Sequence, residues 1–470
     1  MSPFDDKRGY LVKLNKMFHP QSVAVVGASE NPGKLGFHVM KSLMRGGFCG
    51  RTFPINPKAS SIWNLPAYAS IRDIPDEIDL AVIVVPAQAV TPVLKDCHNK
   101  GVQGVVLISA GFSEIPDPMG AALQAQIRQL ADQWTLPIIG PNTFGFVNLR
   151  GTVNASFTPE FSRMPTGGVS LVSQSGGFCH LAGFRAIAEN VGFSKVIGLG
   201  NRCNMDFADM VSYLADDPET NVMALYIEGM EEPRRLVEVA RTLDGNKPIL
   251  AYKAGRGPSA DSASKFHTGS LAGRFEIYQG AFRQGGILDV ADSEELLDTA
   301  KAVDCLAPLT GNTIAVLSSQ AGPGMIACDA CYLHSLQLAM FSSTTQERIN
   351  QLLPALAVRD NPVDMGPAWY NPDAIMGIME AVIDDPNVAG VLFLAMYASA
   401  NVALAGRMRE YFEQRQPLKK PMIACFSAPP PIWAADQEAM DRRKGLVFLP
   451  TPERTARAMG NLWRLHNVLA

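Results

Sequence analysis

"VVGASENPGKLGFHV", residues 25–39, reads as the end of a buried strand, a glycine turn and the start of a helix. Val25 and Val26 close a short valine-rich run, Ser-Val-Ala-Val-Val, that begins at Ser22. Gly27, Ala28, Ser29, Gly33, Lys34 and Gly36 then supply the small and flexible positions that a sharp strand-to-helix turn needs. This is the opening of a βαβ unit. Its glycines resemble a dinucleotide fingerprint stretched beyond the usual G-x-G-x-x-G spacing. Backbone N–H groups at such a helix start attract phosphate, although a tight turn alone would use the same residues.

The next strand narrows the ligand. A site for NAD calls for an acid about 20 residues past the glycines, to accept the ribose hydroxyls. Here the strand runs into "TFPINPKA" (52–59), which offers Asn56, Pro57 and Lys58. A lysine there suits a ligand with an additional phosphate. NADP and coenzyme A both meet that requirement.

Working outward, short apolar runs alternate with helical patterns over nearly the whole chain, which predicts an α/β protein built on parallel sheets. "DLAVIVVPA" (79–87), "GVVLISAG" (104–111) and "LPIIGPN" (136–142) continue the first series. A second runs from "GGVSLVSQSGG" (167–177) to "GILDVAD" (286–292), and a third from "NTIAVLSSQAGPG" (312–324) to "PMIACFS" (421–427). A length of 470 residues predicts about three domains. Turn-forming stretches at 150–168 and 307–312 place them at 1–150, 151–307 and 308–470.

Composition excludes several classes of function. With 47% hydrophobic residues the chain can build large cores, and a net charge of −4 argues against a nucleic-acid surface. There is no apolar run of membrane-spanning length and no secretory leader pattern, so a cytoplasmic protein with no membrane partner is expected. The eight cysteines are scattered, and the single close pair, Cys328 and Cys331, reads as two small buried residues on a helix. No histidine has partners at ligand spacing, so no metal site is expected; His180, just after "SQSGG", is the least ordinary of the rest.

Two further loops end at helix starts: "VSQSGG" (172–177) and "SSQAGPG" (318–324). Each offers hydroxyl, amide and glycine N–H donors in the pattern of a phosphate site, or of ordinary serine capping. His267 stands alone in "SASKFHTGSLAG" (262–273), among small residues that let backbone approach a ligand closely.

In order along the chain, "VVGASENPGKLG", "INPK", "VVPA", "ISAGFSE", "GPNTFGFVN", "LVSQSGG", "YIEG", "YKAGR", "HTGSLAG", "SSQAGPG" and "NPVD" form one pattern. It resembles the α subunit of ADP-forming (NDP-forming) acyl-CoA synthetases, relatives of succinyl-CoA synthetase, over about residues 18–460. The resemblance implies an N-terminal Rossmann-like CoA-binding domain followed by two flavodoxin-like domains. It implies that Gly27, Ala28, Ser29, Gly33, Lys34 and Gly36 surround the CoA phosphates. Lys58 would meet a phosphate or ribose, Val85, Pro86 and Ala87 would line the adenine and pantetheine path, and Asn142 would lie near the thiol end. His267 matches the family's phosphohistidine, and Glu228 the acid that orients it. Ser173, Ser175, Gly176 and Gly177 match one phosphate-holding helix start, and Gln320, Gly322 and Gly324 resemble its counterpart. Two departures are Thr143, where many relatives have Cys, and Phe266, where Ser often precedes the histidine.

The implied reaction interconverts acyl-CoA, inorganic phosphate and ADP with carboxylic acid, CoA and ATP. No P-loop signature occurs, and the resemblance implies that the nucleotide step, with Mg and ADP or ATP, belongs to a separate ATP-grasp β subunit in an α2β2 heterotetramer. The alternative reading is a non-catalytic or regulatory protein that binds CoA or acyl-CoA.

Overall fold

The computed structural model describes residues 7–243, 245–257, 275–414, 417–418, 420–442 and 445–469. The chain divides into two compact units, Met1–Ala291 and Asp292–Ala470.

The first unit holds two sheets. Strands β1 (Ser22–Val26), β2 (Arg51–Ile55), β3 (Leu80–Ile83), β4 (Gly104–Leu107) and β5 (Ile138–Ile139) form an all-parallel sheet in the order β2-β1-β3-β4-β5. β1, β3 and β4 are buried along their whole length, as their unbroken apolar runs require of strands covered on both faces. The order reverses beside β1, and the crevice outside the C-terminal strand ends is there the favoured ligand position in such sheets. Helix α1 (Leu35–Arg45) follows the glycine turn from β1.

The second sheet has seven strands: β6 (Gly145–Asn148), β7 (Val153–Ser156), β8 (Thr166–Ser173), β9 (Phe193–Gly198), β10 (Val222–Ile227), β11 (Ile249–Lys253) and β12 (Ile287–Asp289). Their order is β12-β11-β10-β8-β9-β6-β7. The central strands are parallel, whereas β6 runs antiparallel to β9 and β7 antiparallel to β6. Helix α2 (Gly176–Glu189) leaves the end of β8, and α3 (Phe275–Gln284) precedes β12.

The β6–β7 hairpin lies across the joint expected at 150/151. Turn-formers and polar residues there read as a linker, but Asn148, Asn154 and Ser156 are buried. Their side chains are paired inside: Asn148 Nδ2 donates to the Phe18 carbonyl at 3.0 Å and Ser156 Oγ to Asn154 Oδ1 at 2.7 Å. A buried polar strand is stable when its side-chain hydrogen bonds are satisfied.

The second unit is an all-parallel sheet with β13 (Thr313–Ser318), β14 (Gly390–Met396), β15 (Met422–Ser427) and β16 (Leu446–Phe448) adjacent in that order. Helix α4 (Ser293–Cys305) belongs to this unit, so the division falls before it rather than at 307. Polar side chains tie it down. Arg454 makes a two-pronged pair with Asp298, Nε to Oδ2 at 2.8 Å and Nη2 to Oδ1 at 2.6 Å. Lys301 Nζ reaches Asp441 at 2.7 Å, and Asn461 Nδ2 donates to Glu295 and Thr299. Cys328 and Cys331 both lie on helix α5 (Ala321–Leu333); Cys331 is buried, and desolvation pushes its thiol up to about 12.

Candidate functional site

The glycine turn after β1 is built by close approach. Gly27 has φ +94°, and a Cβ on Gly36 would stand 2.0 Å from the Gly27 carbonyl oxygen. Only glycine lets the first turn of α1 sit that close to the strand end. Ala28 O accepts from Asn56 Nδ2 at 2.9 Å, and Ser29 Oγ accepts from the Asn31 amide at 3.1 Å. Lys34 occupies the N-cap of α1 and Lys58 the turn after β2; both are exposed. Val85, Pro86 and Ala87 follow β3, so all of these residues lie at the C-terminal edge of the first sheet.

The turn from β8 into α2 is organised by its serines. Ser173 Oγ donates to the Ser175 carbonyl at 2.8 Å and accepts from the Ser175 amide at 3.1 Å. Ser175 is the N-cap, accepting from the Phe178 amide at 3.3 Å. At Gly176 and Gly177 an added Cβ would meet no protein atom closer than 3.6 Å. The fold does not itself need glycine there, and the space above these amides remains open to a ligand.

A cavity of about 370 Å³ brings Asn142, Ser175, Gly176, Gly177 and Glu228 together, with Leu35 of α1 at its wall. Ser173 stands behind this wall, buried and bonded to the turn. Asn142 has φ +55°; its Nδ2 donates to Asn201 Oδ1 at 3.3 Å. Asn201 Nδ2 in turn donates to Glu114 Oε2 at 2.5 Å and Gln124 Oε1 at 3.0 Å. Burial opposes ionisation of Glu114, but donors from the Gly111 amide, Asn201 and the Phe112 amide outweigh it and hold the carboxyl below its ordinary 4.5. The Thr143 hydroxyl is engaged by backbone, donating to Gly198 O and accepting from the Gly145 amide at 3.0 Å.

Glu228 follows β10. Its amide and that of Gly229 both donate to Gln174 Oε1, at 3.1 and 3.2 Å, and the next amide, of Met230, donates to Tyr278 Oη at 2.9 Å. Burial raises the Tyr226 phenol above its usual range, and the Glu228 charge adds to that effect; the neutral phenol is hydrogen-bonded to the carboxylate. Tyr226 stacks on Phe178 with ring centroids 4.0 Å apart. His267 lies outside the described residues.

His180 lines the same cavity, and only a closer reading of "SQSGGFCH" hints at it. Its Nδ1 is 2.8 Å from the Gly176 carbonyl and its Nε2 2.7 Å from Thr158 Oγ1. A carbonyl cannot donate, so Nδ1 carries the proton and Nε2 accepts from the threonine. Both ring nitrogens are occupied, which suits a wall residue rather than a nucleophile. Gln174, Asn201 and Glu114 were not singled out by sequence, because an amide or acid in a loop carries no signal of its partner.

Gln320, Gly322 and Gly324 lie in the second unit, where β13 ends at Ser318 and α5 begins at Ala321. Ser318 Oγ donates to the Gln320 carbonyl at 2.6 Å, as Ser173 does to Ser175. Gln320 therefore takes the place of Ser175, one position away from the match "SQ" to "SQ", and makes no side-chain cap.

A larger cavity, about 420 Å³, is lined by His19, Tyr213, Asp217 and Glu219 and holds none of the residues above. His19, Asp217 and Glu219 could converge on a cation, but the buried Lys195 ammonium already does so, 2.8 Å from Asp217 and 2.7 Å from Glu219.

Comparison with known proteins gives this geometry a family. Residues 21–148 match the CoA binding domain model and 166–303 the succinyl-CoA ligase like flavodoxin domain model. The α subunit of acetate–CoA ligase [ADP-forming] II from Pyrococcus furiosus is 38% identical over 382 residues, 80% of each chain. The chain belongs to the ADP-forming acyl-CoA ligase family. Acetate–CoA ligase [ADP-forming] of Methanocaldococcus jannaschii is 39% identical over 353 residues, 75% of this chain; that match spans about half of the relative's length, 49%. Among solved structures, the dinucleotide forming acetyl-coenzyme A synthetase 1 of Ca. Korarchaeum cryptofilum, in complex with phosphate and ADP, superposes with a TM-score of 0.89 at 29% identity over 97% of both chains. The ligase-family fold, a CoA-binding domain and then flavodoxin-like sheets, is thus the fold of this chain. Among the described residues, no helix is long and apolar enough to cross a membrane.

Proposed function

We propose that this chain is the α component of an acid–CoA ligase (ADP-forming), interconverting acyl-CoA, phosphate and ADP with carboxylic acid, CoA and ATP. The observation that carries the reading is the cavity shared by Asn142, the start of α2 and Glu228. The amides of Gly176 and Gly177, at the positive end of the helix, suit a phosphate dianion. In this reading residues 1–150 take CoA through Gly27, Ala28, Ser29, Gly33, Lys34, Gly36 and Lys58, with Val85, Pro86 and Ala87 along its path. The rest of the first unit, from about residue 151, carries the phosphohistidine loop, and the second unit, from Asp292, supplies a second phosphate loop at Gln320, Gly322 and Gly324.

A phosphate oxygen attacks the thioester carbonyl carbon, the C–S bond breaks, and CoA leaves as its thiolate with Asn142 near that end. The product is an acyl phosphate. A neutral nitrogen of His267 then attacks phosphorus, and the bond to the acyl oxygen breaks to release the carboxylate. Glu228 accepts the hydrogen bond of the other ring N–H and steadies the cation-like phosphohistidine. The phosphoryl group passes to ADP, held with Mg on an ATP-grasp β subunit in an α2β2 assembly; relatives named as α subunits support a partner.

The test is to incubate the purified chain with an acyl-CoA and labelled phosphate. Acid-labile, base-stable label is expected on the wild type and not on His267→Ala. Measurable CoA binding with no label from any of a broad set of acyl-CoAs would favour a regulatory CoA-binding protein instead.

A further inference from the structure

Between the start of α2 and Glu228, both at the wall of one cavity, lies one buried side chain that joins them. Gln174 is 5% exposed, sits between Ser173 and the N-cap Ser175, and reaches across to the neighbouring strand. Its main-chain amide donates to the Tyr226 carbonyl at 3.2 Å, extending the ladder between β8 and β10 by one step. Its side-chain oxygen accepts two amides, from Glu228 at 3.1 Å and Gly229 at 3.2 Å, which fills both of its lone-pair directions. The Met230 amide is held by Tyr278. Three successive N–H groups after β10 are thus fixed by side chains from two other elements.

We infer that Gln174 is a positioning residue for Glu228, locking the acid's backbone to the phosphate-binding turn so that carboxylate and helix start keep one geometry; this rests on the ligase reading above.

The second unit separates this role from mere loop closure. At the equivalent place after β13, Ser319 is buried and its Oγ accepts a single amide, that of Met396 at 2.8 Å, at the end of the adjacent strand β14. A short hydroxyl therefore suffices to tie two strand ends in this fold. The longer amide with two acceptor bonds occurs where the tied segment carries an acid. Neutrality matters as well. An amide oxygen fixes the loop without adding charge, whereas a second carboxylate beside Glu228 would favour protonation of one of the pair.

The test measures the rate of phosphohistidine labelling, CoA affinity and the pH profile of the rate. Gln174→Met keeps the volume and removes the acceptor. We expect labelling about 10- to 100-fold slower, as is usual when a group that orients a reacting side chain is lost, with CoA affinity unchanged. Gln174→Glu restores the acceptor and should recover the rate at high pH, with the acidic limb of the profile moved to higher pH. Tyr278→Phe, which releases the Met230 amide, should slow labelling less than Gln174→Met. Labelling by Gln174→Met at the wild-type rate overturns the inference and leaves the ligase reading intact. Should Gln174→Met not fold, an acidic limb of Gln174→Glu coincident with the wild type overturns it. A wild type that takes no label overturns both.

Discussion

Gly36 and Gly176 both lie in the first turn of a helix, for different physical reasons. A Cβ on Gly36 would stand 2.0 Å from a backbone oxygen, whereas at Gly176 the nearest protein atom is 3.6 Å away. Gly36→Ala should therefore cost about 1–3 kcal/mol, the range for forcing atoms into packed space, and weaken CoA binding; thermal denaturation and titration calorimetry with CoA read the two effects. Gly176→Ala fits the protein and should keep or raise Tm, yet slow phosphohistidine labelling by crowding the phosphate space. A normal labelling rate would remove Gly176 from the cradle. Glu114 gives a pH-dependent prediction. Its folded pKa lies below 4.5, so its contribution to stability is present above that value and is lost as pH falls through the depressed pKa. Wild type should lose more stability than Glu114→Gln on acidification below about pH 4.5, measured by urea unfolding across pH. The glycine turn at Gly27 and Gly36 was legible from its immediate surroundings. The purpose of Gln174 was not, because its partners, Glu228 and Gly229, lie 54 and 55 positions away.

At the scale of elements, the two serine-glutamine loops look alike in sequence and are offset by one position in three dimensions. Ser175 caps α2 with its hydroxyl, while Gln320 stands at the same point of α5 without a side-chain cap. Ser175→Ala should cost about 1 kcal/mol, and Gln320→Ala should be nearly neutral; denaturant midpoints compare them. Strands with unbroken apolar runs were readable because burial on both faces leaves no other pattern. The β6–β7 hairpin was not, since its inward polar groups become acceptable only when their partners are in place. Asn154, for example, donates through Nδ2 to the Thr158 carbonyl at 3.0 Å.

For the whole molecule, pairs far apart in the chain decide where a unit begins. Arg454 and Asp298 are 156 positions apart, and the Asp298 side chain is only 3% exposed. Arg454→Met should leave a buried carboxylate with its main partner gone and cost about 3–5 kcal/mol, read from the denaturant midpoint. By itself the sequence determined the α/β class, the glycine turn between the first strand and α1, two further helix starts and a histidine set among small residues. Each of these is written in local periodicity or in adjacent residue types. Only the tertiary structure decided that Asn142, Ser175 and Glu228 share one cavity, that His180 is a wall rather than a nucleophile, and that helix 293–305 belongs with the C-terminal unit. Parallel strands joined by long crossovers bring their C-terminal ends together from distant parts of the chain, and no local pattern records which distant side chain will arrive there.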